Sequence, residues 1–108
     1  MSYTYEYPMV SYAVDIIPLV VENGEYKVWL IYRKRDPYAN HYAIPGGYVD
    51  PNEVAKQAAV RELFEETGLK ITTHELCDFT FDLYDKGDRH PNQRVISKAF
   101  YVYVPKDF

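Results

Sequence analysis

The stretch Gly47–Leu69, GYVDPNEVAKQAAVRELFEETGL, decides how the rest of this 108-residue chain is read. Val54, Ala55, Ala58, Ala59 and Leu63 recur at helical spacing and predict a helix whose small residues let it lie close on a sheet. Asp50 suits the N-cap, Pro51 the first helical position, and Glu53 follows Asp50 at the capping-box spacing. Gly68 is placed to end the helix just after Glu66. Glu62, Glu65 and Glu66 stand three and four residues apart, which gathers three carboxylates on one face. Carboxylates crowded in this way repel one another. They form either a solvated acidic face or a set of hard oxygen ligands suited to Mg²⁺ or Mn²⁺.

Upstream, Met9 to Val21 is rich in Val and Ile and predicts a long strand, with Pro18 marking an edge or a bulge. Asn23-Gly24 follows as a hairpin signal. Tyr26 to Arg33, YKVWLIYR, predicts a return strand covered on both faces, since most of both faces is apolar. Arg33, Lys34 and Arg35 then form a basic cluster, either solvated or facing substrate phosphates. Ala43-Ile44-Pro45-Gly46-Gly47 leads into a short strand at Tyr48-Val49, and its paired glycines allow close backbone approach to a ligand. Downstream, Ile71 to Thr73, Leu76 to Tyr84 and Arg94 to Val104 predict strands, and Asp85 to Asn92 a polar loop. One helix among several strands makes a mixed α/β or α+β domain. Its sheet would need a second helix to cover the other face.

At 47% hydrophobic and 26% charged residues, the chain can bury a core. Its net charge of −4 argues against nucleic-acid or anionic-membrane partners, which call for a basic face, but not against a phosphate substrate bridged by a cation. The 12 tyrosines suit core packing and nucleotide pockets alike. The single cysteine, Cys77, has no partner within the chain, and no signal peptide is visible, so a cytoplasmic protein is expected.

Spacing turns the central stretch into a motif. Gly47, five residues, Glu53, seven residues, Arg61-Glu62-Leu63, one residue, Glu65-Glu66, one residue, Gly68-Leu69 fills every defined position of the Nudix box, G-x5-E-x7-R-E-U-x-E-E-x-G-U. Seven such identities coincide by chance on the order of once in 10⁸ starts. Tyr42 to Gly47 is similar to the W-x-L-P-G-G segment that leads into that box. The chain therefore resembles a Nudix hydrolase domain spanning residues 1–108.

The resemblance implies an α/β/α sandwich around a mixed sheet and Mg²⁺- or Mn²⁺-dependent hydrolysis of a nucleoside diphosphate linked to another moiety. It implies that Glu62, Glu65 and Glu66 are metal carboxylates and that the Gly46 carbonyl is a backbone ligand. Arg61 is then the residue that orients acidic side chains, and Glu53 an assisting carboxylate. Family members continue past the last long strand with another strand and a helix. This chain is accordingly expected to be truncated, to lack its C-terminal layer, and to be destabilised or homodimeric alone.

Arg89-His90-Pro91-Asn92-Gln93-Arg94-Val95-Ile96-Ser97 is similar to the R-D-P-R-G-R-V-I-S segment of the ADP-ribose pyrophosphatase-like branch, with His90 and Asn92-Gln93 departing from it. That implies a small nucleotide substrate, ADP-ribose cleaved to AMP and ribose 5-phosphate. It makes Arg89, His90 and Arg94, with Arg33 and Arg35, the candidate substrate contacts. Dinucleoside polyphosphates and oxidised nucleotides are alternative substrates. ADP-ribose sensing within a transcriptional regulator is a reading of another class. A sensor can dispense with the acidic triad, which this chain keeps.

Overall fold

A computed structural model describes residues 10–34, 39–84 and 94–108. The elements are β1 (Val10–Glu22), β2 (Glu25–Val28), β3 (Ile31–Tyr32), β4 (Tyr42–Ala43), β5 (Gly46–Tyr48), α1 (Ala55–Thr67), a 3₁₀ turn at Thr73–Glu75, β6 (Cys77–Tyr84) and β7 (Arg94–Tyr103). The main sheet runs β2-β1-β7-β6, with β5 also on β1, and β3 and β4 form a separate ribbon. Strands β1 and β7 run parallel along ten register pairs, Val10↔Arg94 to Leu19↔Tyr103, and the other pairings are antiparallel. The fold is mixed α+β, as expected.

One edge of β1 is shared by two strands, and this corrects the reading of Tyr26 to Arg33 as a single covered strand. β2 pairs with Leu19 to Glu22 and β5 with Ala13 to Asp15. Trp29 makes the last bond of the hairpin, N–H to Pro18 O at 2.9 Å. Beyond it the β1 edge belongs to β5, so the chain peels away and re-forms as β3 against β4. Val28, Leu30 and Tyr32 are exposed rather than covered. Pro18 is neither at a sheet edge nor in a bulge. It lies buried in a central strand, and the ring nitrogen that cannot donate falls between the two borrowed segments. The Asn23-Gly24 turn forms as expected, both residues holding positive φ at 53° and 79°.

Alternation along β1 puts Val14, Ile16 and Pro18 on one face, where they are buried with Phe100 and Val102 of β7. α1 covers this face with Ala58, Ala59 and Leu63, all at 0% exposure. Leu69, Ile71 and Leu76 complete the core. Ile71 to Thr73 is not a strand; its chain passes into the 3₁₀ turn. The opposite sheet face is apolar but open among the described residues: Val21, Tyr26, Val28, Phe79 and Tyr103 are exposed. Leu63 is the side chain through which the helix is anchored. Leu63→Ala is expected to cost about 3 kcal/mol of unfolding free energy, read as a shifted urea midpoint.

Candidate functional site

α1 starts later than its sequence signals suggest. Asp50 to Glu53 forms a turn of its own, with Glu53 N–H on Asp50 O at 3.2 Å and Asp50 N–H on Glu53 Oε1 at 2.9 Å. The helix begins at Ala55 after Val54, which is exposed rather than in the core and whose N–H is accepted by Gln57 Oε1 at 2.9 Å. The capping-box geometry is therefore present but closes a turn outside the helix. That placement lets both Glu53 oxygens reach Arg61, with Oε1 also accepting the Asp50 N–H. Gly68 ends α1 as expected, at φ 78° with its N–H on Phe64 O.

Arg61 is the hub. It reaches Glu53 Oε1 through Nη2 at 2.5 Å and Glu53 Oε2 through Nε at 3.2 Å, a two-pronged pair. Nη1 bonds Glu62 Oε1 at 2.7 Å and stands 3.5 Å from Glu65 Oε2. Nη2 also donates to the Tyr48 carbonyl at 3.1 Å and lies 3.6 Å from Asp50. The Arg61 hydrogen bond holds the Glu53 carboxyl below its ordinary range, and these carboxylates in turn raise the Arg61 guanidinium. Glu53, three-tenths-exposed Arg61 and Glu62 thus form one network that fixes the first carboxylate of the acidic face.

Glu62 lies directly over Gly47. A Cβ on Gly47 would meet its carboxyl carbon at 2.5 Å. Gly47 does not hold a positive φ, so it is glycine for space and not for backbone conformation. Glu66 turns toward the neighbouring residue and accepts the Gly46 N–H at 3.1 Å. Gly46 pairs with Asp15, between the bonded positions marked by Ile16 N–H to Pro45 O and Val49 N–H to Tyr12 O. At such a position both N–H and C=O of Gly46 face away from β1. The Gly46 carbonyl is thereby free of the ladder, on the edge turned toward α1.

Burial pushes the Glu66 carboxyl up from an ordinary 4.5 to about 7, with Glu62 and Glu65 adding repulsion and Gly46 N–H and Arg33 opposing it. The folded state therefore binds this proton more tightly than the unfolded state. Stability from this group is present at low pH and is lost as pH rises from about 4.5 through about 7. Urea midpoints of metal-free protein should accordingly fall across that window, and the Glu66 share of the fall should vanish in Glu66→Gln.

Across from Glu65 and Glu66, a cleft of about 400 Å³ is lined by Ile31, Tyr32, Arg33 and Lys34. The β3/β4 ribbon holds it there: Arg33 N–H bonds His41 O, and Tyr32 packs edge-on against Tyr42 at 5.3 Å. Of the expected substrate contacts, Arg33 thus joins the acidic face, whereas Arg35, Arg89 and His90 lie outside the described residues, as does the side chain of Arg94. Glu53, Arg61, Glu62, Glu65, Glu66 and Gly46 are brought together. Sequence reading missed Tyr48 and Asp50 as partners of Arg61, and Tyr32 as a cleft wall. A backbone acceptor leaves no signal in side-chain identity, and Tyr32 sits in a run whose apolar pattern describes a covered strand.

The carboxylates do not converge on one point: among the described residues no three Asp, Glu, His or Cys side chains are gathered at coordinating range. Arg61 holds Glu62 and Glu65 apart from Glu66, which is occupied by Gly46. Even so, the donor set fits a hard divalent cation. It is all oxygen, it includes a carboxylate whose burial disfavours charge, and Glu65 is exposed on the same helix.

The NUDIX domain pattern matches residues 10–108. The chain belongs to the Nudix family. It is 36% identical over 98 residues to an ADP-ribose pyrophosphatase of Methanocaldococcus jannaschii, covering 87% of this chain and 56% of that protein. A MutT/nudix family protein from Enterococcus faecalis superposes with a TM-score of 0.82 at 30% identity, over 97% of this chain and 40% of that one. A bifunctional NMN adenylyltransferase/ADP ribose pyrophosphatase from Francisella tularensis, solved with AMP and a manganese ion, superposes at 0.70 with 27% identity, over 93% and 29%. This Nudix chain thus spans about half the length, or less, of the curated relatives it matches. Its Nudix helix is α1, and no helix among the described residues is long and apolar enough to cross a membrane.

Proposed function

We propose that this Nudix domain hydrolyses a nucleoside diphosphate linked to another moiety, with ADP-ribose the substrate and AMP and ribose 5-phosphate the products. One observation carries the reading: Glu65 and Glu66 line a single cleft with Arg33 and Lys34, beside Glu62, which the Arg61–Glu53 pair holds on the same helix. An acidic wall that can take a cation and a basic wall that can take phosphate oxygens suit a pyrophosphate between them. The ADP-ribose pyrophosphatase relative supports the substrate.

Glu62, Glu65, Glu66 and the Gly46 carbonyl would hold Mg²⁺ or Mn²⁺, which when bound neutralises phosphate charge and makes water a better nucleophile. Arg61 keeps Glu62 over Gly47, tied to Glu53 so that it cannot follow the substrate. Arg33 and Lys34 bind the non-reacting phosphate oxygens, and Tyr32 walls the cleft beside them. In the net reaction water oxygen bonds to one phosphorus and the bridging P–O bond breaks. One phosphate keeps the bridging oxygen, and the two water protons pass to the product phosphates or to solvent. Because the ligating carboxylates must be ionised, Mn²⁺ binding should weaken as pH falls below about 7 and release a proton on titration.

A panel of ADP-ribose, a diadenosine polyphosphate, 8-oxo-dGTP and NADH with Mg²⁺, read by phosphate released after phosphatase treatment, tests the proposal. Preference for ADP-ribose by kcat/KM is the expected result. Binding of ADP-ribose without turnover would replace hydrolysis by sensing, and preference for another substrate would reassign the cleft.

A further inference from the structure

Asp15 lies outside the Nudix box, yet it stands where three strands meet. It pairs with Gly46 in the β1/β5 ladder and with Ala99 in the β1/β7 ladder, on the sheet face turned away from α1. Ser97 Oγ on β7 donates to Asp15 Oδ2 at 2.5 Å, and Ser97 is itself buried, at 4% exposure. The other carboxyl oxygen is turned to Gly46. A Cβ built on Gly46 would sit 2.6 Å from Asp15 Oδ1, so the glycine's α-hydrogen points at that oxygen instead. Gly46 in turn gives its N–H to Glu66. Direct contacts therefore run from Ser97 to Asp15 to Gly46 to Glu66, through β7, β1, β5 and α1.

Ile16 N–H anchors the Pro45 carbonyl end of the Gly46 peptide at 2.9 Å, but the Gly46 end is not bonded to β1. Gly46 has no side chain, Pro45 has no N–H, and at this ladder position neither polar group of Gly46 bonds β1. Behind Gly46 stand the Val14 carbonyl oxygen and the Asp15 carboxyl, both within 2.6 Å of where a Cβ would be, and Ser97 holds the Asp15 rotamer. We propose that Asp15, locked by Ser97, is a positioning residue that presses the Gly46 peptide toward α1, so that Glu66 and the Gly46 carbonyl keep the spacing needed to share a divalent cation. The cation rests on the function proposed above; the placement of Gly46 does not.

The test uses the full chain and needs no turnover. Gly46 amide exchange is followed by NMR in metal-free protein, and Mn²⁺ affinity by electron paramagnetic resonance. In Asp15→Ala the Gly46 amide should exchange about 10-fold faster and Mn²⁺ should bind about 10-fold more weakly, as for loss of a group supporting a ligand. Ser97→Ala should move both readouts the same way by about 3-fold. Asp15→Asn should rescue both to within about 2-fold, since its Nδ2 can donate to Ser97 Oγ while Oδ1 stays against Gly46. Unchanged Gly46 exchange and Mn²⁺ affinity in Asp15→Ala, whatever its melting temperature, would overturn the proposal. Should Asp15→Ala not fold, Ser97→Ala decides: wild-type Gly46 exchange there would overturn it equally. Wild-type protein that fails to bind Mn²⁺ would remove the cation reading, while Gly46 exchange still judges the positioning.

Discussion

Glu66→Gln is expected to lower turnover by about 10³-fold, roughly 4 kcal/mol of transition-state stabilisation, which is the scale of a metal's charge neutralisation. The amide keeps the shape and the acceptor that Gly46 N–H uses at 3.1 Å, so β5 and α1 should remain docked. What is lost is the negative charge, and burial already makes that charge costly in the folded protein, as the rise to about 7 records. The variant should therefore be inactive and, above pH 7 without metal, more stable than wild type. A steady-state assay with Mg²⁺ and a urea melt at pH 8 make the pair of measurements. An inactive variant that is also less stable would mean that Glu66 is a structural residue, and an active one would remove it from the site. Stability given up at one position for function is the general pattern at active sites.

Gly47→Ala should reduce kcat/KM by about 100-fold while costing only about 1 kcal/mol of stability, the low end for overpacking. The new methyl would stand 2.5 Å from the Glu62 carboxyl carbon and 2.8 Å from Oε2. A carboxylate is the flexible end of a side chain and can yield, which keeps the folding cost small. It cannot yield alone, because Arg61 Nη1 holds it at 2.7 Å and Arg61 is itself tied to Glu53 and the Tyr48 carbonyl. The whole network must shift, and ligand placement tolerates little movement. Mn²⁺ titration and kcat/KM against a thermal melt separate these effects; a large stability loss with intact Mn²⁺ affinity would count against the steric account.

Much of this site is legible in one dimension because a helix is a rigid ruler. Once Arg61, Glu62, Glu65, Glu66 and Gly68 are spaced as they are, helical geometry alone places the three acids on one side and ends the element at Gly68. The hairpin at Asn23-Gly24 is legible for a similar reason: two adjacent residues with positive φ are a local requirement that few residue types meet. The run Tyr26 to Arg33 is different. Its apolar residues describe a strand, but nothing in them records that β5, twenty residues on, claims the next part of the β1 edge.

The sequence by itself determined the family, the mixed α+β class, the acidic triad and its glycine terminus, since all rest on local spacing and local backbone preference. Only the tertiary structure decided where the helix begins, how Arg61 divides itself among Glu53, Glu62 and the Tyr48 carbonyl, and which way the Gly46 carbonyl faces. It alone brought Asp15 and Ser97, 82 residues apart, behind Gly46. These are consequences of which strand edge pairs with which, and an edge is a shared resource along the whole chain. Competition for it is settled by packing of distant segments, which no window of neighbouring residues contains.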